Sequence, residues 1–517
     1  MVGNAVRVLL MAAGMGLASG MAAVAADAIA PVTYEQFGAK GDGVSDDRAA
    51  IVAAHEAANA RGASVRAGDG KTYYVAGDEG TAIVKTDVDF GTARIVIDDS
   101  RAKKINLPLF KVVPSAEKIK VTGVSGLKRD QSNLGVRLPA KCFVQLRNDK
   151  VRRYIRFGPN RNDGTAQREA CIVAKDGAID PKTAPIWDYD EVTSVVATPM
   201  DEKTLVIKGG IFTTVANQAE SKYTYHNRGF VINRSNVRIE GLRHEITGEG
   251  EHGAPYSGFL TINDCADVVV TGCVLTAHKT YRTIGSGGVP VSMGSYDLSV
   301  NDAINVSFID SRQTTDINDN RYWGIFGSNF CKNLLFDGCV FSRFDAHMGV
   351  ANATIRNSTL GYMGVHAIGC GTFLVENTTV RAGYFFELRP DYGSTWDGDF
   401  IVRNSTYVPM GGKSRPGVLV YGSNSGMHDF GYACTMPRKI VFDGLYIDDA
   451  QQSGKYAGPN LFNDYNGKMR DDTYVEKYPY KVSEEVVLRN VKTASGKEVR
   501  LGPNPYMFRN VKIVREK

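Results

Sequence analysis

His347 lies nine residues after Gly338, and His366 lies nine residues after Asn357. Both turn residues close short strand-like runs, Leu-Leu-Phe-Asp-Gly338 and Thr-Ile-Arg-Asn357. Side chains at equal offsets on stacked parallel strands sit above one another, about 4.8 Å apart, so two imidazoles are expected to project from one face. Adjacent imidazoles disfavour double protonation, which keeps one neutral and basic near neutral pH. Asp345, two residues before His347, points the same way in a regular strand and is placed to set the tautomer of that ring. The same offset from Asn377 falls on Phe386, with Glu387 and Arg389 just beyond. A neutral imidazole beside a carboxylate is equipment for proton transfer.

Earlier repeats place His278-Lys279-Thr280-Tyr281-Arg282 and Asp319-Asn320-Arg321-Tyr322-Trp323 at comparable points, and Tyr392 follows Arg389. The rings of Tyr281, Tyr322, Trp323 and Tyr392 suit the apolar faces of sugars. The cations of Lys279, Arg282, Arg321 and Arg389 suit carboxylates or sulfates. His252, in the loop 248–256, belongs either to the edge of this line or to the loop itself, whereas His55, His226, His244 and His428 read as structural. For chemistry between carboxyls, Asp345, Glu387, Asp391 and Asp397 are the candidates.

The elements that position these residues form a degenerate repeat. Short runs end at Gly241, Gly272, Asp310, Gly338, Asn357, Asn377, Asn404, Gly444 and Asn490, with the tightest steps of 19 and 20 residues. Such a period with Gly or Asn at the turns is the pattern of a solenoid whose rungs bury apolar faces only against neighbours. Longer steps, such as the 40 residues from Asn404 to Gly444, imply loop insertions or a weak rung. Near the start, Asp46 or Asp47 can cap an amphipathic helix running to about Asn59, which covers an open sheet end. Residues 1–26 read as a secretory signal, with Arg7, an apolar run and the small residues Ala23-Val24-Ala25-Ala26. The organisation is therefore a signal over 1–26, a cap with first strands over 27–80, early rungs with a β-rich insertion over 81–235, and the main rungs over 236–517.

A formal charge of +5 is a mild basic bias that favours an anionic polymer. No basic run interleaved with aromatics points to nucleic acid, and no membrane span remains once the signal is removed. Eight cysteines include no CxxC; Cys265 with Cys273 and Cys331 with Cys339 share one spacing and read as small apolar residues at equivalent repeat positions, with disulfide pairing left open.

The string FGAKGDGVSDDRAAI, Phe37 to Ile51, resembles the N-terminal motif of the pectate-lyase-like superfamily, which includes polysaccharide lyases, glycoside hydrolases, epimerases and phage tailspikes. Central strings such as GEGEHGAPY and HKTYRTIGS are similar to those of exported β-helix proteins encoded near glycan-degradation systems. The resemblance implies an all-β, right-handed parallel β-helix with an N-terminal capping helix and loop insertions, secreted or periplasmic, acting on carbohydrate. One scaffold hosts many reactions, so three readings stand. The first is a lyase cleaving an acidic, uronate-containing polysaccharide by β-elimination, with His347 or His366 as base, Tyr322 or Tyr281 as acid, and Arg282, Lys279 or Arg389 neutralising the carboxylate. The superfamily also allows Lys279 as the base and a divalent cation such as Ca²⁺ as neutraliser, although no acidic cluster repeats across the rungs. The second is a glycoside hydrolase using paired carboxyls, and the third a non-catalytic glycan-binding protein.

Overall fold

The computed structural model describes residues 29–516 except 221, 252, 411–416 and 453–455. The expected signal segment and His252 lie outside the described residues. Among the described residues, 34 strands join into one continuous sheet that coils on itself. Three parallel ladders make up each full rung. In one rung Phe230–Ile232, Val237–Glu240 and Arg243–Thr247 follow in order, pairing in turn with Leu260–Asn263, Ala266–Thr271 and Val274–Leu275 of the next.

The turn residues read from the repeat are the corners of this coil. All nine adopt left-handed backbone: φ runs from +45° at Asn404 to +71° at Gly444. Left-handed backbone costs an ordinary L-residue roughly 1–2 kcal/mol, which restricts the corner to Gly, Asn and Asp. From Gly241 to Gly444 each corner N–H donates to the carbonyl just before the corner of the following rung, as Asn357 does to Glu376 and Asn377 to Arg403. Inside, the apolar side chains stack from rung to rung into one core, with Phe386 on Phe400 at 4.2 Å and Phe110 on Phe230 at 4.6 Å between ring centres. Cys265 and Cys331 occupy repeated interior positions as free buried thiols, each meeting a carbonyl of the preceding rung, and Cys273 and Cys339 do likewise.

The helix Arg48–Arg61 closes the N-terminal end, burying Ile51, Ala54, His55 and Ala58 over the first rungs. Asp46 accepts the Arg48 N–H at 3.0 Å, whereas Asp47 turns back to the N–H groups of Lys40 and Gly41. The ladder pauses after Phe110–Val112 and resumes at Leu205–Lys208. Between them Ile119–Lys120, Cys142–Arg153, Thr165–Val173 and Ser194–Pro199 form an antiparallel sheet with its own core. A buried ion pair ties this insertion to the coil: Lys332 Nζ meets Glu169 at 2.6 Å and also donates to the Thr183 and Ala184 carbonyls. The long step from Asn404 to Gly444 is a loop insertion and not a missed rung, because the Asn404 N–H donates directly to the Asp443 carbonyl.

Asn404 is exposed, so it tests the corner cleanly. Asn404→Gly should leave stability within a few tenths of a kcal/mol, whereas Asn404→Val should destabilise by about 1–2 kcal/mol, read from denaturant unfolding midpoints.

Candidate active site

One long strand, Val340–Arg356, turns a corner of the coil. Its first half pairs with Thr359–Ala367 and its second with Phe326–Asp337. Two more residues lie between Leu360 and Gly364 than between their partners Phe341 and Arg343, so the register slips. Asp345 therefore stands opposite His366, His366 opposite Glu387, and Glu387 opposite Tyr421. The expected stacking of His347 on His366 is corrected: His347 lies two residues further on, beside the irregularity where Ser328 pairs with Ala346 and Asn329 with Met348. Both rings nonetheless face the same cavity of about 1090 Å³, with Trp323, Glu387, Arg389 and Asp391.

Asp345 does not line this cavity. Its side chain is fully buried, accepts from Arg389 at 2.9 Å and from the Tyr296 hydroxyl at 2.9 Å, and pairs with Arg343 at 2.7 Å. Burial opposes its ionisation, but the Arg343 and Arg389 charges outweigh it and hold the carboxyl well below its ordinary range. Arg389 also grips Asp391, which Arg156 meets at 2.7 Å from the other side. Against burial, those two guanidiniums hold Asp391 at about 2. Burial and Arg389 depress His347 to about 3, and burial and Arg343 do the same to His366. Both imidazoles are thus neutral near neutral pH because of burial and arginine, and not because of the mutual repulsion that the spacing predicts. Glu387, 3.8 Å from His366, is pushed up to about 7 by burial. Arg156, Arg343 and Arg389 line the cavity beside ionised Asp391, the ionised Asp345 lies behind them, and Glu387, with its value at about 7, is partly protonated at neutral pH.

The tautomer of His347 follows from a ladder of amides. Asn329 donates through Nδ2 to Asn301, and Asn301 donates through Nδ2 to Asn263. The Asn329 Oδ1 is left to accept, and it lies 2.9 Å from His347 Nδ1. Nδ1 therefore carries the hydrogen and Nε2 the lone pair. The role expected of Asp345 belongs to Asn329. Beneath the site Tyr392 is buried, with its ring edge-on to His347 at 5.5 Å and the Arg156 and Arg389 guanidiniums over its faces. It supports the site from below and is not a sugar platform.

Several expected residues lie elsewhere. Lys279 donates to the Gly250 carbonyl at 2.6 Å and is not at the central cavity, which removes it as the base there. Tyr322 also lies off the cavity, its carbonyl accepting from Tyr362. Tyr281 is buried with its hydroxyl 3.3 Å from Tyr225, so neither tyrosine is placed to act as the acid. Arg321 is exposed and folded onto Asp319 at 2.5 Å. Arg282 lines a separate cavity, and Asp397 is taken by Arg129 outside the site. Conversely, Arg156, Tyr296, Asn329 and Arg343 line the cavity without a signal in the sequence pattern, as does His428, which the sequence alone marks as structural. Arg156 comes from the loop that follows the insertion strand Cys142–Arg153, far from the repeat, and no spacing signal marks it. Trp323, with Arg343 at 5.4 Å, keeps its expected place on the wall.

No known protein family matches the chain, and no curated protein sequence matches it. Solved structures do. The tailspike gp61 of Pseudomonas phage phi297 is similar over 89% of this chain and 80% of its own, with a TM-score of 0.55 at 14% identity. The gp54 tailspike of Acinetobacter baumannii bacteriophage AP22, solved in complex with A. baumannii capsular saccharide, is similar over 91% and 74%, with a TM-score of 0.52 at 11% identity. The chain is a right-handed parallel β-helix. In this β-helix the resemblance read from Phe37 to Ile51 holds for the fold. Among the described residues no group of three or more His, Cys, Asp or Glu side chains converges as an ion site. Asp391 at the cavity and Asp345 behind it are both engaged by arginine, so these donors do not fit a divalent cation.

Asp345→Ala leaves Arg343 and Arg389 buried without their shared partner. The expected loss is about 3–5 kcal/mol of stability, measured by chemical denaturation, and a loss below ~1 kcal/mol would refute the structural weight placed on Asp345.

Proposed function

We propose that this protein is exported and cleaves a uronate-containing polysaccharide by β-elimination at the central cavity. The observation that carries the reading is a pair of imidazoles kept neutral by burial at the wall of an arginine-rich cavity. In this reading the sugar carboxylate lies against Arg389 and Arg156, which makes the C5 proton acidic. His347 Nε2 takes that proton, and the electron pair left on C5 forms the C4–C5 double bond as the C4–O4 bond breaks. The departing O4 takes its proton from Glu387, whose carboxyl is still protonated below about 7. Asn329 holds the imidazole and Asp345 holds the arginines, both without touching the reacting atoms. A glycan partner is also in keeping with the gp54 tailspike, which shares the fold and was solved with a capsular saccharide.

A second reading rests on Glu387 at about 7 and Asp391 at about 2 within one cavity. Two carboxyls with separated pKa values are the acid and base of glycoside hydrolysis. The two reactions leave different products. A panel of acidic polysaccharides, followed by ultraviolet absorbance of the new double bond and by reducing ends in parallel, tells them apart. Elimination raises both signals, whereas hydrolysis raises reducing ends alone and transfers the central roles to Glu387 and Asp391.

Under the elimination reading His347→Ala should lower kcat by about 10²-fold or more while leaving the fold intact by circular dichroism. The pH–rate profile should fall above about 7 as Glu387 loses its proton, with the acidic limb only near 3, where the imidazoles charge. A rate that stays flat into the alkaline range would remove Glu387 as the acid. Chelation with EDTA should leave the rate unchanged, since the arginines supply the neutralising charge.

A further inference from the structure

Beside the central cavity lies a second one of about 690 Å³, and Tyr223 lines both. The partition between them is a hairpin of Tyr281–Ile284 and Pro290–Met293. Ser292 and Met293 face the central cavity, while Arg282, Thr283 and Ile284 face the second. The hairpin is held rigidly against the insertion: Gly287 donates its N–H to the Pro159 carbonyl at 2.8 Å, and the Ser286 hydroxyl donates to the Arg161 carbonyl at 2.6 Å. Tyr223 is fixed as well, its hydroxyl donating to Asn160 at 2.6 Å while the residue stays 46% exposed.

Among the described residues, the charges of this second cavity are already paired, with one exception. Lys222 pairs with Glu220 at 2.8 Å. Glu249 is buried and occupied by the backbone N–H groups of Ala254 and Lys279 and by His278. Arg282 is exposed, and among the described residues no carboxylate or carbonyl meets its guanidinium. A cation projecting from a pinned strand beside a fixed, half-exposed aromatic ring is preorganised for one anionic sugar: the ring takes a pyranose face and the guanidinium takes a carboxylate or sulfate.

We infer that the second cavity is a subsite for a further anionic sugar of the same polymer, bound by Arg282 and Tyr223 and separated from the reaction site by the hairpin. This rests on the reading of the central cavity as the place where an acidic polysaccharide reacts. Arg282 is accordingly a binding residue for chain length and takes no part in the bond cleavage.

The test compares wild type with Arg282→Ala and Arg282→Lys on acidic oligosaccharides of increasing length, by turnover and by titration calorimetry. Expected is a KM and Kd about tenfold higher for Arg282→Ala on the longer oligomers, no change on the shortest that still react, an unchanged kcat throughout, and partial recovery in Arg282→Lys. An Arg282→Ala effect that is absent, or equal at all lengths, overturns the subsite. Length-dependent binding through Arg282 without any cleavage upholds the subsite and sinks the elimination reading instead. A wild type that neither binds nor cleaves any of these oligomers overturns both.

Discussion

A rung of this coil cannot bury its apolar side chains alone, so each depends on the rung above and below it and on a corner tight enough to bring the chain back in register. The corner is a single left-handed residue whose N–H donates onward to the next rung, as Asn377 does to Arg403 and Asn404 to Asp443. Core stacking and ladder pairing both require that corner to repeat. Extra residues have few places to go under this constraint. They leave the coil as loops, as between Asn404 and Gly444, as a whole inserted sheet, or as a slip within a strand, as between Leu360 and Gly364. Those departures build the site.

The slip sets a carboxylate, an imidazole and a second carboxylate in one column, Asp345, His366 and Glu387, on the outer face of a rigid ladder. Their different fates follow from depth and neighbours. Asp345 is wholly buried and remains ionised because Arg343 and Arg389 flank it. Glu387, two rungs further on, has no direct cation partner among the described residues, and burial raises it instead. A buried carboxylate is costly unless it is paired and hydrogen-bonded, and here that pairing also places two guanidiniums at the cavity floor. The same positive charge, added to burial, keeps the imidazoles from charging. Ion pairing and proton affinity are therefore consequences of one buried cluster.

The insertion and the hairpin convert an open face into an enclosed one. Arg156 arrives from the insertion loop to complete the grip on Asp391, and the Pro159 and Arg161 carbonyls of that loop hold the hairpin that divides the two cavities. The buried Lys332–Glu169 pair and the apolar contact of Phe143 and Ile172 with Ala266 and Ile304 anchor the insertion to the coil. Its contribution to the site is thus as fixed as that of the rungs themselves.

The amino-acid sequence by itself determined the coil. Left-handed backbone excludes most side chains at the corner, so Gly, Asn and Asp at nine recurring places reported the rung boundaries directly, and the capping helix was legible from its own local pattern. It also brought His347, His366, Glu387, Arg389 and Trp323 to one cavity, because residues close to a corner keep their approximate place from rung to rung. The exact column, the partner of His347 and the displacement of Lys279, Arg282 and Tyr322 from the site were decided only by the tertiary structure. Counting from corners assumes regular strands, and a slip of two residues between Leu360 and Gly364 leaves no local mark in composition. The proton affinities depend on burial and on arginines contributed by chain segments far apart, Arg156 lying 235 residues before the Asp391 it meets, and distances across space are not encoded in spacing along the chain.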